Sequence, residues 1–119
     1  MASQESVAEL LARSLDYREA KNAELSLKQL DQVPNFPLVL LQVVANTSIP
    51  LDTRLAGSLF FKNLIKRKWT DADGNYMLAE QDVVAIKSNI LDLMISSPPQ
   101  PSNQLGEAIS VIANSDFTD

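Results

Sequence analysis

Apolar residues recur every three or four positions through most of this chain, and the runs are cut by prolines and short polar stretches. That period puts them on one face of a helix. Six helices are expected. The first covers 3–15: Ser3 can cap it, Glu5 suits the positive end of the helix dipole, and Val7, Leu10, Leu11 and Leu15 form its stripe. The second covers 17–32, with Ala20, Ala23, Leu27 and Leu30 on one face, Leu25 beside them, and Arg18, Glu19, Lys21 and Lys28 outside. Pro34 and Pro37 then break the chain. The stretch 36–46 is almost wholly apolar. Its β-branched residues would suit a buried strand, but its length and its place between two helices favour a helix.

The densest pattern lies in 54–69, one long helix whose first turn Pro50 fits. Leu51, Leu55, Leu59, Phe60, Phe61, Leu64, Ile65 and Trp69 cover much of its circumference. A helix of that kind belongs between neighbours. Lys62, Asn63, Lys66 and Arg67 nevertheless sit at i, i+1, i+4 and i+5, forming one polar strip on its open side. Such a strip can meet an acidic or hydrogen-bonding partner, or simply be a solvated face with lysines laid over apolar neighbours. Lys68 points the other way and is placed to pair with carboxylates of an adjacent repeat. Trp69, at the helix end, is expected to anchor the core between repeats.

A polar loop, 70–78, follows. Its Asp71-Ala-Asp-Gly-Asn-Tyr76 run lacks the glycine and glutamate positions of a calcium loop and reads as a Gly-Asn turn. Helix five covers 79–97 with Val83, Ile86, Ile90, Leu93 and Met94 as its stripe, and Pro98, Pro99 and Pro101 end it. Helix six starts near Ser102 and buries Leu105, Ala108, Ile109 and Ile112. Gly57 and Gly106 fall mid-helix, at about 1 kcal/mol each relative to Ala, which close helix packing would explain.

Short links make antiparallel hairpins of helices one and two, three and four, five and six. The hairpins recur at roughly 35–45 residues, the spacing of HEAT repeats. The expected fold is all-α: a HEAT-repeat α-solenoid of about three hairpins, divided 1–33, 34–70 and 71–119. The last hairpin would lack an outer neighbour, so the chain is expected to be an N-terminal piece of a longer solenoid, with self-association through that face possible.

Composition narrows the chemistry. The 119 residues hold no Cys and no His, which removes disulfides, Cys/His zinc sites and histidine-based nucleophilic or general-base catalysis. Asp92, Glu107, Asp116 and Asp119 are carboxylates without any pairing signal for acid–base work. The expectation is no enzyme activity, no cofactor and no metal. A net charge of −5 and a pI near 4.6 argue against nucleic acid. No apolar run reaches the ~18 residues of a membrane span, and the polar start is unlike a signal peptide, so an intracellular, soluble protein is expected.

Several segments carry a resemblance. Ala23-Glu-Leu-Ser-Leu-Lys-Gln-Leu30 resembles the Ala-Glu-x-x-Leu-x-x-Leu opening of the importin-β superfamily of nuclear transport receptors. The double Phe60-Phe61 and the ending Lys66-Arg-Lys-Trp69 are similar to the importin-α exporter (cellular apoptosis susceptibility protein) family within it. So are Leu93-Met-Ile-Ser-Ser-Pro98, Gln104-Leu-Gly-Glu-Ala-Ile-Ser110 and Ala113-Asn-Ser-Asp-Phe117, the last lacking the family's Arg-Trp-Pro continuation. The resemblance implies the first three HEAT repeats of a longer export receptor. Its inner helices, here two, four and six, would contact Ran-GTP, with Lys62, Asn63, Lys66 and Arg67 facing the nucleotide-sensitive surface. It also implies importin-α as cargo of the full-length receptor, contact with nuclear pore proteins, and shuttling between nucleus and cytoplasm. An importin-type import receptor, or a HEAT scaffold indifferent to Ran, are the alternatives.

Overall fold

A computed structural model describes residues 3–116. It contains α1 (Gln4–Ser14), α2 (Ala20–Leu30), α3 (Phe36–Ala45), α4 (Leu51–Lys68), α5 (Glu80–Ser96) and α6 (Pro99–Asp116). Ser3 caps α1: its hydroxyl accepts the Ser6 N–H at 3.1 Å, and Ser6 Oγ accepts the Ser3 N–H at 3.3 Å. Val7 and Leu11 are fully buried, whereas Leu15 falls beyond the helix and is 51% exposed.

Two helix starts differ from expectation. α2 begins at Ala20, three residues later than its pattern suggests. The Asp16 carboxylate accepts the Arg18 N–H at 2.9 Å, and its carbonyl accepts the Glu19 and Ala20 amides. That local turn competes with the helix until its donors are spent. α6 begins at Pro99, three residues earlier than Ser102. Proline lacks only an N–H that a first turn leaves unpaired anyway, so Pro99 and Pro101 open this helix and do not merely end the one before it.

The apolar stretch 36–46 is helical, and its entry is built by tertiary contact. Asn35 takes a left-handed backbone (φ 76°), which Asn tolerates, and donates its N–H to Asp82 Oδ2 at 2.9 Å. At the other end of α3, the buried Arg54 guanidinium donates from Nε to the Val44 carbonyl at 2.8 Å. That pairs a helix-terminal carbonyl that would otherwise stay orphaned.

The packing has two layers. α1 touches α3 and α3 touches α5; α4 touches α6 on the other side; each hairpin partner packs on its mate. This is the HEAT-type α-solenoid expected from the periodicity. α4 is the central helix, packed against α1, α3 and α6. Gly57 permits the α1 approach, since a Cβ there would lie 3.3 Å from Leu11 Cδ1. Gly106 is different: a Cβ would sit 3.5 Å from Met94 Sδ, an ordinary contact, so packing does not require glycine there. Trp69 is 1% exposed and anchors the junction of α4 with α6. The loop after it closes through a Thr70–Tyr76 bridge, with Gly74 at φ 84°. Asp71 accepts the Asn75 and Asp73 amides at 2.9 Å each, and the Asn75 amide is the main reason its carboxyl titrates below the usual range.

Candidate functional site at the inner face of helix four

The four residues of the polar strip lie on two rows of α4. Lys62 and Lys66 form one row, Asn63 and Arg67 the other. Lys62 leans toward α6, where its Nζ lies 3.8 Å from Glu107 Oε2, and only 13% of its side chain is exposed. Lys66 is exposed and has no ion-pair partner among the described residues. Asn63 and Arg67 line a groove on the opposite side, between α2 and α4. Its volume is about 570 Å³. The floor is apolar, made by Leu11, Leu27, Leu55, Leu59 and Phe60. Leu59, expected inside, is 36% exposed here. Glu24 and Asp52 stand on the rim together with Lys28 and Arg67.

The groove exists because α2 packs mainly on α1 and not on α4. One carboxylate bridges the gap at its end. Asp31, the C-cap residue of α2, accepts Arg67 Nη1 at Oδ2 and Lys68 Nζ at Oδ1, both at 3.1 Å. Asp31 is 4% exposed, so two cations compensate a buried charge that would be costly alone. Lys68 therefore pairs as expected with a carboxylate of the neighbouring hairpin. That Arg67 shares the same carboxylate was not foreseen: 36 residues separate the two, and no local spacing signals the contact.

The far side of α4 ends differently. Asp116 accepts Trp69 Nε1 at 3.0 Å, Tyr76 Oη at 3.1 Å and Lys87 Nζ at 2.7 Å. Burial pushes the Asp116 carboxyl up, but the hydrogen bonds from Lys87, Trp69 and Tyr76 outweigh it and hold it below the usual carboxylate range. The same contact with Asp116 raises the Lys87 ammonium. Asp116 is thus a structural acceptor. Glu107 faces Lys62, and Asp92 lies on the outer side between α3 and α5. These three carboxylates stand apart; Asp119 falls outside the described residues.

Stacked hairpins in two layers, with an open groove beside the central helix, define a helical-repeat protein of the HEAT type. The model of the importin-beta N-terminal domain matches residues 23–96, and the chain belongs to that family. It is 52% identical, over all of its 119 residues, to the importin alpha re-exporter of Saccharomyces cerevisiae, covering 12% of that protein. It is 38% identical over 119 residues to exportin-2 of Homo sapiens, with 98% of this chain and 12% of that protein covered. Among solved structures it superimposes on the exportin Cse1 in its cargo-free, cytoplasmic state with a TM-score of 0.95 at 52% identity, covering 99% of this chain and 13% of that one. The chain thus spans about one eighth of the length of the relatives it matches.

Proposed function

We propose that this chain is the N-terminal Ran-GTP-binding module of a nuclear export receptor that returns importin-α to the cytoplasm. The observation that carries the reading is the family match combined with an open groove on the inner layer, apolar in its floor and lined by both acidic and basic side chains. Asn63 and Arg67 provide donors along that groove, while Lys66 stands exposed on the neighbouring row of α4 and Lys62 reaches toward α6. In the whole receptor, importin-α is the cargo, nuclear pore proteins are transit partners, and the protein shuttles between nucleus and cytoplasm. The chain contributes HEAT repeats 1–33, 34–70 and 71–119 and acts by binding, without catalysis.

The test is a titration against Ran loaded with a non-hydrolysable GTP analogue and, separately, with GDP. The variant is Asn63→Ala/Lys66→Glu, chosen because neither side chain holds the fold together. Binding to the GTP form alone, weakened about 10-fold or more in the variant, is expected, since a reversed charge at a complementary surface is repulsive. The loss should shrink as salt rises. Equal affinity for both nucleotide forms would point instead to a scaffold that binds without regard to Ran's nucleotide.

A further inference from the structure

We infer that Asp31 is a positioning residue: it sets the Arg67 guanidinium at the end of the α2–α4 groove so that it can take a carboxylate of the partner. The inference rests on the reading above for the identity of the partner, but not for the role of Asp31 itself.

The geometry separates two cations that are adjacent in sequence. Lys68 is 26% exposed and approaches Asp31 Oδ1; Arg67 is 43% exposed and approaches Oδ2. One carboxylate carries one negative charge, so the trio of Asp31, Arg67 and Lys68 keeps a net charge of +1. Lys68 is the more enclosed and is not among the groove residues, whereas Arg67 is. The surplus charge is therefore presented on the groove side.

Arg67 spends only Nη1 on Asp31. Its remaining donors form a planar fork that matches a carboxylate bidentately. Asn63, one turn earlier on the same row, adds an amide donor. Without Asp31 the guanidinium would be a mobile surface cation, and a partner would have to order it on binding. Holding it in advance removes that cost, about 0.5–1.5 kcal/mol for a long side chain, which is about 2- to 10-fold in affinity. The Asp31 carboxylate can do this because it is fixed at the helix end and shielded from water.

Two measurements test this. The first needs no partner: ¹⁵N relaxation at Arg67 Nε in the wild type and in Asp31→Asn. A restricted guanidinium in the wild type that becomes mobile in the variant is expected. Equal mobility in both would overturn the inference, whatever Ran does. The second is a cycle of affinities for Ran in its GTP-analogue form, using Asp31→Asn, Arg67→Ala and the double variant. Asp31→Asn should weaken binding about 2- to 10-fold on its own and have no further effect once Arg67 is removed. A purely structural Asp31 would weaken binding equally in both backgrounds, and that result would overturn the positioning role. If the wild type fails to bind Ran, the Ran reading falls, and the relaxation experiment still decides what Asp31 does.

Discussion

Two junctions flank the C-terminal half of α4, and they are closed to different degrees. Toward α6 the gap is filled: Trp69, Leu105 and Ala108 are almost wholly buried, Thr70 and Ser115 hydroxyls meet at 3.0 Å, and Asp116 collects three donors. Toward α2 the gap stays open over about 570 Å³, with Leu15 and Leu59 substantially exposed and Asp31 as the tie at its end. Both junctions use a carboxylate from the neighbouring hairpin to hold the end of α4. What separates them is side-chain volume and reach: an indole and small residues let α6 sit close, while α2 leans on α1. The closed junction supplies stability, and the open one leaves surface for a partner.

Removing the anchor of the closed side should have the largest effect. Trp69→Ala should cost about 3–5 kcal/mol, the range for large aromatic residues deleted from a core, read as a lower midpoint in chemical denaturation. A cost near that of a surface substitution would mean the α4–α6 junction is not a core at all. Asp116→Asn should cost about 1.5–3 kcal/mol at neutral pH, because hydrogen bonds to a charged acceptor are lost or weakened. Its pH dependence has a defined sign. The folded carboxyl titrates below its ordinary value of about 3.9, so its contribution is complete above that pH and disappears as pH falls through the lower folded value. Wild type and Asp116→Asn should therefore differ at pH 7 and converge below pH ~4. A gap that persists into acid would assign the effect to packing.

On the open side, Leu59→Ala should lower stability by about 1–2 kcal/mol, less than a fully buried leucine would, since this side chain is already partly in water. The same substitution should weaken partner binding, because it removes apolar floor from the groove. A large stability loss without a binding effect would reverse the roles assigned to the two junctions.

Both sides were legible as helices and illegible as contacts. Periodicity located the six helices of the described residues, because it depends on residues a turn apart, while residue type marked Ser3 as a cap and Trp69 as an anchor. Pattern could not set the two helix starts, where the Asp16 turn delays α2 and Pro99 opens α6. Nor could it show the groove. The wheel of 54–69 marks Leu55 and Leu59 as apolar but not which neighbour covers them, and α2 does not. Asp31 with Arg67, Arg54 with Val44 and Asp82 with Asn35 are pairs made by tertiary approach, so no local spacing reveals them. The polar strip was legible as a pattern, while its split into a row toward α6 and a row along the groove depends on where α2 and α6 lie.

The most direct test of the central claim is a backbone amide chemical-shift map of this chain with Ran bound to a GTP analogue. The account predicts perturbations on the groove side, at Glu24, Leu27 and Lys28 of α2 and from Leu55 through Arg67 of α4. Perturbations centred instead on Tyr76, Lys87 and Asp116, with the groove unmoved, would contradict it.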